Sequence, residues 1–146
     1  MDVIYSLNDT HIKQLHELYQ NEWWSHGRSL EQTRLCIEGS QIIIGLVDTN
    51  NHLTGFTRVL TDYIFKALIF DIIVRKDQRH IQIGNTLITL VKQHSKLQAV
   101  KHFELYCLPE LFTYYSRHGF TSDVGTIQLM RFTNTQKTLP IGHTSG

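Results

Sequence analysis

A cluster of positively charged side chains precedes a helical pattern in the middle of the chain. The cluster consists of Arg75, Lys76, Arg79 and His80. The helical pattern begins soon afterwards at Ile83, and the first turn of a helix has unpaired backbone N–H groups and about half a unit of positive charge. Such a turn binds phosphate groups well. The stretch lacks the Gly-Lys-Ser/Thr of a Walker loop and two of the three glycines of a Rossmann fingerprint, so it predicts a phosphate-binding loop of another kind.

Two carboxylates interrupt patterns that are otherwise apolar and strand-like. Asp71 lies inside the apolar run from Ala67 to Val74, and Glu104 follows Phe103 within another short run. A carboxylate buried among apolar side chains is costly unless it faces a pocket or a partner. Asp71 is therefore a candidate for proton transfer or substrate binding, with a structural ion pair to an arginine or lysine as the alternative. For Glu104 an ordinary solvated or paired residue is the simpler interpretation.

Helices and strands that interleave along the chain must position these residues. Apolar spacing and capping residues predict helices over Asp9–Glu22, Ser29–Gly39, Ile83–Leu97 and Pro109–Gly119. Runs of β-forming residues predict strands over Val3–Leu7, Gln41–Val47, Leu53–Leu60, Lys66–Val74, His102–Cys107, Phe120–Asp123 and Ile127–Phe132. This order predicts an α/β or α+β layered sheet. The strand–helix–strand segment from about Lys66 to Cys107 predicts one right-handed crossover.

Composition and charge describe a globular chain of one domain. The 146 residues are 41% hydrophobic and 18% charged, with a net charge of +1, which argues against disorder. The basic residues are scattered, so nothing indicates nucleic-acid binding, and the longest apolar block is too short to cross a bilayer. The first residues lack the pattern of a signal peptide. We expect one domain over residues 1–133, a flexible tail over 134–146, and no nucleic acid or membrane as partner.

The two cysteines indicate the compartment. Cys36 and Cys107 are far apart in the sequence, which fits neither a disulfide framework nor a zinc motif. Free or buried thiols are typical of proteins in a reducing cytoplasm. We therefore expect a cytoplasmic protein.

Three motifs together resemble the GCN5-related N-acetyltransferase (GNAT) family. The pyrophosphate loop of that family reads Arg/Gln-x-x-Gly-x-Gly/Ala, and this chain has Arg79-His80-Ile81-Gln82-Ile83-Gly84 in that place. The run Asp71-Ile72-Ile73-Val74 resembles the central strand of the family, and Tyr114-Tyr115-Ser116-Arg117-His118-Gly119-Phe120 resembles its Tyr-x-x-x-Gly-Phe signature. The resemblance covers about Leu53–Phe120. Gln82 departs from it, since members usually have glycine there, and His80 stands where glycine is often found.

The resemblance implies a fold and a co-substrate. The fold is an α/β (α+β layered) one: a mixed, mostly antiparallel central sheet of about six to seven strands, flanked by about four helices, with a splayed central strand pair. Acetyl-CoA is expected in the wedge between the strand near Ile72 and the strand that ends at Cys107. The residues implied to bind it are Ile72, Ile73, Val74, Arg79, His80, Ile81, Gln82, Ile83, Gly84, Asn85 and Tyr115.

The resemblance also implies direct attack of an amine on the thioester. An alkylamine with a pKa of about 10.4 is protonated at pH 7, and presenting it neutral costs about 4.6 kcal/mol. Asp71 is the first candidate to anchor the ammonium or to relay its proton through water, and Glu104 is the second. The leaving thiolate needs a proton, and Tyr115 is the candidate acid by its place in the motif. A role for Tyr115 in the core is the alternative.

The connection between the first two helices is the candidate acceptor site. It reads Trp23-Trp24-Ser25-His26-Gly27-Arg28, and in the family this connection usually borders the acceptor. Trp23 and Trp24 are candidates to stack on an organic amine, with a cap over the core as the alternative, and Arg28 lies beside them. His11 and His16 share a predicted helix without an H-E-x-x-H motif, so we expect no metal site.

Two functions follow from this sequence. The first is an N-acetyltransferase that acts on an amine of a small molecule or a peptide, and the resemblance makes a homodimer a reasonable expectation. The second is a catalytically degenerate domain that binds acetyl-CoA or another ligand as a sensor or as a partner module. The side chains of His80 and Gln82 in the loop favour the second.

Overall fold

Five strands form one mixed sheet in the computed structural model, which describes residues 1–78 and 81–135. They are β1 (Asp2–Ile4), β2 (Ile42–Val47), β3 (Leu53–Thr61), β4 (Lys66–Val74) and β5 (His102–Leu105), and they follow one another across the sheet in this order. Neighbouring strands from β1 to β4 are antiparallel, whereas β4 and β5 are parallel. The parallel pair is joined by a helical crossover, as the sequence predicts.

Four α-helices flank this sheet: α1 (Asp9–Gln20), α2 (Leu30–Glu38), α3 (Ile81–Gln93) and α4 (Phe112–Ser116). Short 3-10 turns occupy Lys76–Gln78, Ser95–Leu97 and Pro109–Leu111. Asn8 and Ser29 cap the first two helices, each as one half of a capping box. A side-chain oxygen at these positions accepts the N–H groups that a helix start leaves unpaired. Those two helix starts confirm the sequence prediction.

Helices cover the sheet on both faces, and each face has its own core. On one face α1 contributes Leu15 and Tyr19, which pack with Phe56 and Ile73 of the sheet. On the other face α3 contributes its apolar side, and the cluster there contains Ile83, Leu87, Val91, Ile44, Val59 and Ile69. The sheet is therefore the middle layer of three, and its central strands are fixed from both sides.

The strand count is the main correction to the sequence analysis. The predicted strands Phe120–Asp123 and Ile127–Phe132 do not form, so the described sheet has five strands instead of six or seven. The residues of the second run have high strand propensity, but propensity alone does not make a strand, which also depends on packing and pairing with its neighbours. Most of the predicted tail, from residue 136 onward, lies outside the described residues.

None of the helices described is both long enough and apolar enough to cross a membrane.

Candidate functional site

A wedge opens between the two parallel strands at the centre of the site. Residue pairs between β4 and β5 run from Lys66 with His102 to Ile69 with Leu105. β4 continues as far as Val74, so its last residues lie beyond the ladder with β5. This is the splayed strand pair that the sequence analysis expected.

A bulge in β4 lies next to the point where the strands part. Phe56 on β3 pairs with Ile73 on β4, and Arg58 on β3 pairs with Phe70 on β4. One residue of β3 therefore lies opposite two residues of β4, so β4 has one extra residue. Within this bulge Asp71 has a φ of 57°. A non-glycine residue in the left-handed region costs roughly 1–2 kcal/mol, although aspartate tolerates it better than most. A bulge bends its strand, and this one lies just beyond the residues of β4 that pair with β5.

The side chain of Asp71 is held by three neighbours. Arg28 Nη1 donates a hydrogen bond of 2.7 Å to Asp71 Oδ2, and Arg58 Nε donates another of 2.7 Å to the same oxygen. Arg28 Nη2 reaches Oδ1 at 3.3 Å, and Tyr19 Oη donates to Oδ2 at 2.9 Å. The carboxylate is only 6% exposed. Asp71 therefore joins α1, the α1–α2 connection and β3 at the bulge.

The charges in this cluster reinforce one another. Burial alone would raise the pKa of Asp71, but the hydrogen bonds and positive charges of Arg28 and Arg58 outweigh it and hold that pKa below its ordinary value. Burial would lower the pKa of Arg28, but the hydrogen bond and charge of Asp71 raise it. Burial, followed by the charge of Asp71, raises the pKa of Tyr19 well above its ordinary value. Asp71 is therefore ionised at neutral pH, and Tyr19 is a neutral donor.

These contacts bear directly on the predicted role of Asp71. The sequence analysis left open a role in proton transfer or substrate binding and, as the alternative, a structural ion pair with an arginine or lysine. A carboxylate that accepts hydrogen bonds from two guanidinium groups and a phenol, with a lowered pKa, is a poor proton acceptor at pH 7. The geometry fits the ion pair.

The α1–α2 connection brings two of its predicted residues to this cluster. The guanidinium of Arg28 lies 4.5 Å from the ring centroid of Tyr19 and 5.5 Å from that of Trp24. Trp24 also packs edge-on against Tyr19. Trp23 is 72% exposed, so the two tryptophans differ: Trp24 belongs to the wall of the cluster and Trp23 points mainly to solvent.

An aromatic pair extends this wall across the sheet. The guanidinium of Arg58 lies 5.2 Å from the ring centroid of Phe70 on β4. Phe70 in turn packs edge-on against Tyr106, which follows β5 and is 58% exposed. Residues on both sides of the wedge thus form one continuous surface of aromatic and cationic groups.

Glu104 belongs to a different environment. Its carboxylate binds Lys66 Nζ at 2.5 Å across the parallel pair, and both side chains are almost half exposed. This is the solvated ion pair that the sequence analysis gave as the simpler interpretation.

Tyr115 lies on α4, half-buried among aromatic side chains and a thiol. Its ring packs edge-on against Tyr114 and Phe120. Burial, with smaller effects of Tyr114 and Cys107, raises the pKa of Tyr115 to about 12. Cys107 follows β5, so α4 places the phenol beside the strand that forms one wall of the wedge.

The start of α3 is joined to α4 by close contacts. A Cβ added at Gly84 would lie 2.7 Å from Tyr114 Oη, so the helix and the phenol meet at a place that only glycine fits without adjustment. His118 Nε2 lies 2.8 Å from Asn85 Oδ1, and Lys92 Nζ donates to the backbone oxygen of His118. These contacts fix α4 against the helix that the phosphate-binding prediction concerns.

The other residues that were predicted to bind acetyl-CoA differ in their burial. Ile83 is buried in the core, and the side chain of Gln82 is exposed while its backbone oxygen accepts a hydrogen bond from Thr86. Ile72 and Val74 are half-buried and Ile73 is buried on β4. Arg79 and His80 lie outside the described residues, so the structure does not bear on their predicted contacts with phosphate.

Two residues of this site were missed by sequence reasoning, namely Tyr19 and Arg58. Arg58 is a charged residue inside the apolar strand pattern of β3, just as Asp71 is in β4. That signal was present, because opposite charges in two neighbouring apolar strands are expected to pair. In the sequence, Tyr19 was recognised only as part of the apolar side of α1.

Over residues 1–78 and 81–135, no three histidine, cysteine, aspartate or glutamate side chains stand close enough together to hold a metal ion.

Comparisons with known proteins agree with the geometry. A family model described as the acetyltransferase (GNAT) family matches residues 10–120. The uncharacterised N-acetyltransferase ycf52 of Pyropia yezoensis is 27% identical over 126 residues, which cover 84% of this chain and 72% of that protein. Its counterpart in Porphyra purpurea is 25% identical and is covered to 71%, against 82% of this chain.

Solved structures agree on the fold. A protein of the GNAT family from Xanthomonas campestris pv. campestris superposes with a TM-score of 0.75 at 25% identity, covering 92% of this chain and 94% of that one. An aminoglycoside 6'-N-acetyltransferase solved with coenzyme A superposes with a TM-score of 0.62 at 18% identity, covering 72% of this chain and 61% of that one.

Proposed function

Because this chain belongs to the acetyltransferase (GNAT) family, we propose that it transfers an acetyl group from acetyl-CoA to an amine of a small molecule or a peptide. The observation that carries the proposal is the wedge between β4 and β5, which opens beyond the pair Ile69 and Leu105. It lies beside α4 with its half-buried phenol.

The residues around the wedge fit acetyl-CoA. Polar backbone groups along the end of β4 lie beyond the ladder with β5, and a pantetheine arm carries two amides that pair with a strand edge as another strand would. The first turn of α3 presents backbone N–H groups for the diphosphate. Ile72 and Ile73 would thus hold the arm, and the residues from Gln82 to Asn85 would hold the diphosphate. Acetyl-CoA, when bound, would supply the acetyl thioester.

Tyr115 would donate a hydrogen bond to the departing thiolate. A raised pKa of about 12 keeps the phenol protonated at neutral pH, so the donor is in place when the thiolate forms. A coenzyme A thiol has a pKa near that of cysteine, about 8.5, so full proton transfer from this phenol is uphill; the hydrogen bond would stabilise the thiolate, water would supply its proton, and we expect a contribution near the lower end of the roughly 10²–10⁴-fold range for general acids.

The amine would be deprotonated by an electrostatic route. Two guanidinium groups face one carboxylate in the cluster of Arg28, Arg58 and Asp71, which leaves a surplus of one positive charge beside the wedge. A neighbouring positive charge lowers the pKa of an ammonium group. The wall of Trp24 and Tyr106 would hold the organic part of the acceptor, and water would accept the proton.

Thiol release over a panel of amines tests the proposal. With an acceptor amine, wild-type protein should release coenzyme A, and Tyr115→Phe should lower kcat by about 10- to 100-fold while the Kd of acetyl-CoA stays within about twofold. Tyr63→Phe is the matched control, since Tyr63 lies in the β3–β4 turn and should change neither quantity. Full activity of Tyr115→Phe would remove the tyrosine from the mechanism.

A second function has one observation in its favour. The carboxylate of Asp71 on β4 accepts hydrogen bonds from Arg28, Arg58 and Tyr19, an arrangement that does not suit a general base. This fits a domain that binds acetyl-CoA as a sensor or partner module without transfer. Binding of acetyl-CoA by calorimetry, with no thiol release over the same amine panel, would favour this second function.

We also propose a cytoplasmic location. Cys36 and Cys107 are both unbridged and only half-buried, which is the state that a reducing compartment maintains. Fractionation of cells that express the tagged full-length protein tests this, and recovery outside the cytoplasmic fraction would contradict it.

A further inference from the structure

We propose that the acceptor amine carries a carboxylate, and that Arg58, with Arg28 beside it, binds that carboxylate where the wedge opens. This rests on the proposed function, in which the acceptor is an amine, and it adds the chemical group by which the acceptor is recognised. The starting point is an excess of positive charge in the cluster around Asp71.

One arginine is enough to satisfy the carboxylate of Asp71. Arg28 donates from Nη1 to Oδ2 at 2.7 Å and from Nη2 to Oδ1 at 3.3 Å, so one guanidinium engages both oxygens and balances their charge. Arg58 adds a second positive charge through Nε, although its side chain is only 14% exposed. Among the described residues, Asp71 is the only carboxylate that forms an ion pair with either arginine. A charge so poorly exposed to water is costly unless an anion balances it, which points to an anion on the ligand.

Arg58 also has unused hydrogen-bond donors. A guanidinium has five N–H donors, and Arg58 uses Nε with Asp71 and Nη1 with Ser40 Oγ, the latter at 3.4 Å. Nη2 has no acceptor among the described residues, where no side-chain nitrogen is both buried and without a partner. Nη2 therefore reaches solvent from a side chain that is otherwise mostly buried. Its planar N–H groups match the geometry of a carboxylate.

Arg58 lies where the two parallel strands part. It pairs with Phe70 across the sheet, and Ile69, the residue before Phe70, forms the last pair of the parallel ladder with Leu105. The guanidinium lies 5.2 Å from the centroid of the Phe70 ring, which packs edge-on against Tyr106 beyond β5. A molecule bound to Arg58 by its carboxylate would therefore lie at the opening that the proposed function assigns to the acetyl group.

The size of the charge favours a carboxylate over other ionic groups. Two arginines and one aspartate leave one positive charge, which a single carboxylate neutralises. A phosphate monoester carries a charge of about −1.5 to −2 at pH 7 and would leave the site negative. An acceptor with further ammonium groups would be repelled by the two guanidinium groups.

Binding of the carboxylate would also assist deprotonation of the amine. In water the carboxylate of an amino acid stabilises the ammonium group of the same molecule, because a nearby opposite charge favours the charged form. A guanidinium that neutralises this carboxylate removes the stabilisation, so the pKa of the amine falls relative to its value in solution. The same positive charge thus serves recognition and deprotonation.

Amino acids compared with their own primary amides test the proposal. The panel consists of phenylalanine, γ-aminobutyrate and ε-aminocaproate, and each amide keeps the length of its acid but loses the charge. The amine of the amide is no more basic than that of the acid, so basicity does not favour the acid. For the best acceptor, wild-type protein should release coenzyme A from acetyl-CoA with a kcat/KM at least about tenfold higher for the acid than for the amide, or about 1.4 kcal/mol.

Arg58→Gln should abolish this preference, because the amide side chain has no charge. Loss of folded protein would affect acid and amide alike, so the ratio of their kcat/KM values stays informative if the variant is less stable. Arg34→Gln is the matched control, since it removes one positive charge from a surface ion pair with Asp9 and should keep the preference. Equal kcat/KM values for acid and amide throughout the panel, or a preference that Arg58→Gln keeps in full, would overturn the proposal.

Calorimetry separates this proposal from the proposed function. The same acids and amides are titrated into wild-type protein and Arg58→Gln in the presence of coenzyme A, so no transfer is needed. If acids and amides are acetylated equally well, acetyl transfer stands and the carboxylate site fails. If no amine of the panel is acetylated, tighter binding of an acid than of its amide, lost in Arg58→Gln, supports the carboxylate site alone, whereas equal or absent binding overturns it.

Discussion

Replacing Asp71 with alanine removes the carboxylate to which Arg28, Arg58 and Tyr19 all donate hydrogen bonds. The substitution also leaves alanine at a φ of 57°, where a β-carbon is strained. Both effects act on the bulge, which lies just beyond the residues of β4 that pair with β5. We therefore expect a loss of stability together with a weaker site for acetyl-CoA.

The size of the loss follows from burial. The side chain of Asp71 is 6% exposed, that of Arg58 is 14% exposed and that of Arg28 is 26% exposed. Removing one partner of a buried ion pair costs about 3–5 kcal/mol, and the partial exposure of Arg28 places this case at the lower end. Alanine in the left-handed region adds about 1 kcal/mol, so Asp71→Ala should cost about 3–5 kcal/mol of unfolding free energy.

Two further substitutions divide this cost into its parts. Asp71→Gly removes the acceptor but relieves the backbone, so it should cost about 1 kcal/mol less than alanine. Asp71→Asn keeps an acceptor oxygen and tolerates a positive φ, and it should cost least, about 1–3 kcal/mol. The measurement is urea unfolding at pH 7, followed by tryptophan fluorescence and circular dichroism.

A surface ion pair supplies the control. Asp9→Asn breaks a pair with Arg34 in which the carboxylate is 81% exposed, and it should cost less than about 1 kcal/mol. If Asp71→Ala costs no more than that control, or if asparagine costs more than alanine, then the cluster does not hold the bulge and the reasoning is refuted.

The dependence on pH has a definite sign. The pKa of Asp71 is lowered in the folded protein, so its contribution to stability is complete above the ordinary carboxyl pKa of about 3.9. It is lost as the pH falls from that value toward the folded pKa. The difference in unfolding free energy between wild-type protein and Asp71→Asn should therefore be constant from pH 7 to about pH 5 and shrink below about pH 4.

Three other changes have expected outcomes. In Gly84→Ala the added Cβ meets Tyr114 Oη at 2.7 Å and must displace it, which opposes the gain of about 1 kcal/mol in helix propensity; we expect a net cost of about 1 kcal/mol. When Tyr114→Phe is also present, thermal unfolding should show no such cost, because the nearest remaining atom of that ring, Cζ, lies 3.8 Å from the added Cβ. An equal cost with tyrosine and with phenylalanine would contradict this contact. With a pKa of about 12, Tyr115 stays protonated through pH 10, so kcat should show no falling limb between pH 7 and 10, and a fall that Tyr115→Phe abolishes would disprove this. Glu104→Gln should change urea stability by less than about 1 kcal/mol, because its pair with Lys66 is almost half exposed, and a larger loss would indicate a contact beyond this pair.

Aspects of the fold that depend on near neighbours in the chain were open to prediction. The capping boxes at Asn8 and Ser29 join groups three residues apart in the chain, and the two helices that they begin form as predicted. The hairpin of β2 and β3 and the crossover through α3 follow from turn residues and apolar spacing in the same way. The fold family was visible because its motifs are short and lie on these local elements.

The candidate site shows where such reasoning stops. Asp71 was expected to have a role at the site, and a structural ion pair was left open as the alternative. The choice between them depends on Tyr19, Arg28 and Arg58, which come from three different segments. No periodicity relates positions that far apart, so their meeting is a property of the packed sheet and helices.

The residues by themselves thus indicated the family and the starts of the first two helices, because these depend on short motifs and on bonds between near neighbours. The tertiary structure decided which groups surround the carboxylate of Asp71, and whether the run at 127–132 becomes a strand. Both outcomes depend on which groups lie opposite in space. A carboxylate takes its pKa from the charges around it, and a strand requires an edge with which to pair.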